Sequence, residues 1–66
     1  MKIRLLGTES GKNGCPALYA TERGTFVVQG KLITDEEAIA SLVDVREDEF
    51  YVEIPRGLLR FATEPE

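Results

Sequence analysis

The sequence predicts a small α+β domain, an antiparallel sheet of three to four strands with two short helices in the order β-β-β-α-β-α. Three stretches carry this expectation. Two apolar runs, 17–21 and 25–28, are joined by Glu22-Arg23-Gly24. A hydroxyl and three acids, Thr34-Asp35-Glu36-Glu37, precede apolar residues at helical spacing. Finally, Phe50-Tyr51-Val52-Glu53-Ile54 alternates with the period of a strand.

Taken in order, residues 2–6 (Lys2-Ile3-Arg4-Leu5-Leu6) alternate weakly and read as a strand that stops at Gly7. Loop 7–15 is polar and glycine-rich, and Cys15-Pro16 sets an extended backbone ahead of the next element. The 17–21 and 25–28 runs form a hairpin, with Gly24 where a bulged three-residue turn needs the left-handed conformation. Leu18 and Ala20 would share a buried face with Phe26 and Val28. Gln29-Gly30 is a further turn, and Lys31-Leu32-Ile33 extends the sheet briefly.

Thr34 with Glu37 matches a capping box, which opens a helix over 35–42. The three acids suit the positive end of its dipole. Ile39, Leu42 and Val43 fall on one side, and so short a helix must dock to persist. Arg46-Glu47-Asp48-Glu49 is a charged turn leading to the 50–54 strand, where Phe50, Val52 and Ile54 point one way. Pro55 stops that strand and suits a first helical position. Leu58, Phe61 and Ala62 line a last short helix. Residues 1–62 thus read as one domain and 63–66 as a disordered tail.

At 66 residues the chain buries about 60% of its unfolded surface, and its expected radius of gyration is roughly 11 Å. Small domains compensate for thin cores with disulfides, metals or oligomerisation. One cysteine, Cys15, forms no intrachain disulfide, and the absence of histidine removes the commonest metal ligand. Self-association, as a homodimer, is the expected compensation. The net charge of −4 and the scattered Lys and Arg residues argue against direct nucleic-acid binding. No apolar stretch approaches the roughly 20 residues of a membrane span, and a single unpaired thiol suits a cytoplasmic setting.

No catalytic constellation is expected. Gly7-Thr8-Glu9-Ser10-Gly11-Lys12-Asn13 falls short of a phosphate loop: three residues separate its glycines instead of four, and Asn13 stands where a magnesium ligand belongs. Cys15 is a candidate reactive thiol, but Lys12 is its only nearby cation and no base accompanies it. The acids cluster in helix starts and turns, where they are solvated, so neither general acid/base work nor calcium binding is expected of them. Neither cofactor nor metal is expected. Tyr19, Phe26, Tyr51, Arg56 and Arg60 are the candidate contact residues, since aromatic and Arg side chains anchor protein interfaces.

The order Ser10-Gly11-x-x-Gly14-Cys15, a hairpin, then Val52-Glu53-Ile54-Pro55 followed by Leu58-Leu59-x-Phe61 resembles a small actinobacterial family. It is a domain family of unknown function, encoded beside WhiJ-type helix-turn-helix regulators. The phrase Cys15-Pro16-x-Leu18-Tyr19-Ala20-Thr21, with Arg23-Gly24-Thr25 and Val27-Val28-Gln29-Gly30 after it, is similar to other uncharacterised actinobacterial proteins of this size. The resemblance implies an accessory role in transcriptional control through protein contacts, with no site residue carried over. The expected function is therefore a non-enzymatic interaction module, its partner a helix-turn-helix regulator or a second copy. The alternative is a small ligand or redox sensor built on loop 7–15.

Overall fold

A computed structural model describes residues 1–9 and 16–63. Within them, five strands, one α-helix and one 3₁₀ helix run in the order β1 (Ile3–Thr8), β2 (Ala17–Thr21), β3 (Phe26–Gln29), β4 (Lys31–Leu32), α1 (Glu36–Ala40), β5 (Val52–Glu53) and the 3₁₀ helix (Arg56–Thr63). The class is α+β, as expected. The strands do not share one sheet. β1, β2 and β3 make an antiparallel meander, and β4 pairs with β5 in a separate two-stranded ladder.

The hairpin obeys its local chemistry. Gly24 adopts φ +79°, the left-handed conformation expected of it. The Thr21 N–H donates to the Thr25 carbonyl at 2.9 Å, and the Thr21 hydroxyl gathers the turn. That oxygen accepts from Arg23 N at 3.1 Å and Thr25 N at 3.3 Å, and lies 2.6 Å from Thr25 Oγ1.

β1 departs from the expectation at its end. It does not stop at Gly7 but crosses a register shift between Leu5 and Gly7 and continues to Thr8. A bulge of this kind bends the strand and re-aims the residues beyond it. Gly7 faces the 3₁₀ helix so closely that a Cβ there would lie 2.5 Å from three ring atoms of Phe61. Its glycine serves close approach.

Cross-strand pairing places Gly7, Leu18 and Val28 in one row of the sheet and Arg4, Ala20 and Phe26 in the next, on the same face. The 3₁₀ helix packs on this face. Leu18 and Leu58 are the two large side chains fully buried there, with Ala20 beside them, and Ala17 is buried as well. The expectation that Phe26 and Val28 complete this core is not met, because they remain 48% and 37% exposed. Sharing a face did not suffice. β3 is an edge strand, and the 3₁₀ helix packs mainly on β1 and β2.

α1 is shorter than the expected 35–42. Asp35, not Thr34, is its N-cap, and its carboxylate accepts from Glu37 N at 2.9 Å and Ala38 N at 3.4 Å. A charged acceptor makes the stronger cap and also favours the helix dipole. At the other end the Ser41 hydroxyl donates to the Glu37 carbonyl, and Asp44 turns left-handed at φ +57°. The helix therefore ends before Leu42 and Val43, which are 39% and 81% exposed and form no docked face.

The expected 50–54 strand is reduced to Val52–Glu53 because its partner runs out. Lys31 and Leu32 pair with Glu53 and Val52, Ile33 N donates to the Tyr51 carbonyl at 3.2 Å, and the chain then turns into the α1 cap. Phe50, expected to open that strand, lies outside it and is 85% exposed. The final helix is 3₁₀, opened by Leu58 N donating to the Pro55 carbonyl. In a 3₁₀ helix, residues i and i+3 eclipse, which aligns Leu58 with Phe61 over the sheet. The helix runs to Thr63, one residue into the expected tail. The Cα radius of gyration is 13.1 Å, above the roughly 11 Å of a compact chain this size.

Candidate interaction surface

The five candidate contact residues do not form one patch. Tyr19 pairs with Leu5 and Val27 on the sheet face opposite the 3₁₀ helix, and Phe26 points to the helix side. Tyr19 is half-buried, and its hydroxyl donates to Gln29 Oε1 at 2.8 Å. Tyr51 is half-buried beside the β4–β5 ladder, and Arg56 is exposed at the start of the 3₁₀ helix. Cys15 and most of loop 7–15 lie outside the described residues.

Arg60 is engaged within the chain. Its Nη1 donates to Glu9 Oε1 at 2.8 Å, Glu9 Oε2 at 3.1 Å and the Gly57 carbonyl at 2.9 Å. Its guanidinium carbon also stands 4.4 Å from the Phe61 ring centroid. This clasp joins the end of β1 to the 3₁₀ helix across 51 positions of sequence, a separation no local pattern signals. Gly57 makes room for it, since a Cβ there would meet Glu9 Oε2.

Among the described residues, two concavities bear on the site. One, of about 340 Å³, lies where the meander passes to the ladder and is lined by Pro16, Gly30, Lys31, Glu53, Ile54 and Pro55. Its floor depends on Gly30, because a Cβ would come within 2.7 Å of Ile54 Cγ2 and 2.9 Å of the Glu53 carbonyl. The second, of about 350 Å³, sits at the hairpin end of the β1–β2 pair and is lined by Lys2, Ile3, Arg4, Ala20, Thr21 and Glu22. The sequence pattern assigned Lys2 and Ile3 only to a strand.

The apolar surface around these features is extensive. Ile3 and Leu5, on the face of the meander away from the 3₁₀ helix, are 48% and 54% exposed. Val43, Val45 and Phe50 stand out along the connection between α1 and β5. The acidic run Glu47-Asp48-Glu49 immediately before Phe50 is the sequence feature that bears on its exposure. Among the described residues no group of three His, Cys, Asp or Glu is placed to hold a metal ion, and no helix is long and apolar enough to cross a membrane. Compared with protein-family models, with curated proteins and with solved structures, the chain matches none.

Proposed function

We propose that this chain is a non-enzymatic protein-interaction module that completes its hydrophobic core by association. One observation carries the reading. Among the described residues only Leu18 and Leu58 are large side chains fully buried, while eleven large apolar side chains are more than a third exposed. Single exposed apolar residues are ordinary, but two fully buried large side chains make a very thin core, and association is one of the ways small domains compensate for one. Fully burying a side chain of this size contributes roughly 1.5–3 kcal/mol. Two of them are little against the conformational entropy of ordering 66 residues.

The partner is a second copy or, in line with the family resemblance, a helix-turn-helix regulator in transcriptional control. The acidic balance supports a protein partner over direct contact with nucleic acid. The test is thermal unfolding over a range of protein concentrations, alone and with the candidate partner. A midpoint that rises with concentration or with partner is expected, because binding to the folded state stabilises it by mass action. A monomer with a concentration-independent midpoint in the ordinary range of about 45–65 °C would refute the reading.

A further inference from the structure

We infer that β3 is the docking edge of this domain and that its occupant is the β3 of a second copy, laid antiparallel so that the two meanders join into one sheet. This dimer rests on the interaction-module reading and gives it a partner and a contact.

The hydrogen bonds of the meander fix which backbone groups face outward. Successive residues of an antiparallel strand bond alternately to one side and the other. The Thr21 N–H donates to the Thr25 carbonyl, which turns the backbone of Tyr19, Val27 and Gln29 toward the β2–β3 seam. Phe26 and Val28 therefore aim their N–H and C=O groups away from β2, and the sheet has no strand on that side. Their side chains share the face on which the 3₁₀ helix packs, yet stay exposed there. An added strand would satisfy the backbone groups and cover the side chains at once, which is how strand addition combines affinity with specificity.

The other edge is blunted. By the same alternation, Glu22 N donating to the Lys2 carbonyl leaves the backbone of Ile3 and Leu5 facing outward on β1. Lys2 and Arg4 flank Ile3, and the register shift between Leu5 and Gly7 interrupts the strand. Charges and bulges are devices that keep edge strands from pairing. β3 has neither. Its register with β2 is unbroken, and residues 24–30 contain no charge and no proline.

Charge also selects the occupant. A chain of net charge −4 repels its own copies, so they meet at least cost across a neutral contact, and 24–30 provides one. The outward groups then set the register. Pairing Phe26 with Val28 of the other copy, and Val28 with its Phe26, exchanges backbone bonds at both positions. It also places an aromatic ring beside a β-branched side chain twice, a favourable cross-strand pair. Val27 lies opposite Val27 of the other copy on the two-fold axis, the isologous arrangement of a closed dimer. Each β3 is used once and each β1 is blunted, so assembly stops at two copies.

Sedimentation velocity from about 1 μM to 1 mM tests this, with Val28→Pro and Phe26→Lys on β3 and Leu5→Lys on β1. Proline is tolerated where an edge-strand N–H faces solvent, so Val28→Pro removes an outward donor and leaves the β2–β3 bonds in place. Far-UV circular dichroism checks that each variant keeps its fold. Both β3 variants are expected to weaken dimerisation by about tenfold or more, and Leu5→Lys to leave it unchanged. Added salt is expected to tighten the wild-type dimer, because it screens the repulsion between acidic copies and costs a neutral contact nothing. In a Cys15→Ser background, Val27→Cys is expected to crosslink two copies on oxidation. Its Cα atoms would stand about 4.5 Å apart as a non-hydrogen-bonded pair, within disulfide reach. That crosslink reads the register even if Val28→Pro fails to fold. A wild-type dimer indifferent to Phe26→Lys, or one that Val27→Cys does not crosslink, would overturn this inference and leave the interaction-module reading standing. A wild-type monomer throughout the range overturns it as well, and the unfolding experiment with the candidate partner then decides the broader reading by itself.

Discussion

Replacing Gly7 with alanine probes the contact on which the small core depends. The added Cβ would lie 2.5 Å from Cγ, Cδ1 and Cε1 of Phe61, where ordinary contact begins at 3.4 Å, so the ring must retreat by about 0.9 Å. It has little freedom to do so. Arg60 is stacked against the ring while bound to Glu9, and Leu58, one turn earlier, is fully buried. Overpacking of this kind costs about 1–3 kcal/mol. If the 3₁₀ helix lifts instead, the burial of Leu58 is weakened too, a further loss of up to roughly 1.5–3 kcal/mol. Against a total stability of roughly 3–10 kcal/mol for a chain of this length, either loss is large. The assay is urea denaturation monitored by circular dichroism at one fixed protein concentration. With a slope near 1 kcal/mol/M, the midpoint should fall by about 1–3 M. Adding Phe61→Leu should recover part of the loss, a coupling of about 0.5–3 kcal/mol between touching residues. Gly24→Ala is the control. Its Cβ meets nothing within 4 Å, so its cost comes from φ +79° alone, about 1–2 kcal/mol, and should not depend on Phe61. An unchanged midpoint in Gly7→Ala would refute the packing of the 3₁₀ helix on this row of the sheet.

The cap of α1 separates two neighbouring residues: Asp35→Ala should cost about 0.5–2 kcal/mol and Thr34→Ala a few tenths at most, read as helical signal and unfolding midpoint. The opposite ranking would restore Thr34 as the cap. Thr21→Val keeps the shape of a residue only 7% exposed but removes the oxygen that holds the hairpin turn. A loss of about 1–3 kcal/mol is expected, with faster hydrogen exchange at the Arg23 and Thr25 amides; exchange unchanged at both would show that the hydroxyl does not hold the turn.

The candidate surface was legible only in part, and the division reflects the range of the forces involved. Tyr19, Phe26, Tyr51, Arg56 and Arg60 were chosen for residue type, and residue type does not say where a fold will place them. Arg60 turned inward to Glu9 because the bulge at Leu5–Gly7 carries the end of β1 to the 3₁₀ helix. Phe50, expected in the 50–54 strand, is the most exposed large apolar side chain among the described residues because the strand beside it ends at Leu32.

What the sequence by itself determined is what neighbouring residues decide among themselves. The left-handed glycine of the hairpin, the strand at 17–21, a helix opening among the acids at 34–37 and a helical turn after Pro55 all come from local backbone sterics and short-range hydrogen bonds. Tertiary structure decided which faces found a cover. Alternation places Leu18, Ala20, Phe26 and Val28 on one face whatever happens elsewhere, yet the 3₁₀ helix packs mainly on β1 and β2. Burial is a property of two surfaces brought together, and one strand's pattern specifies only its own.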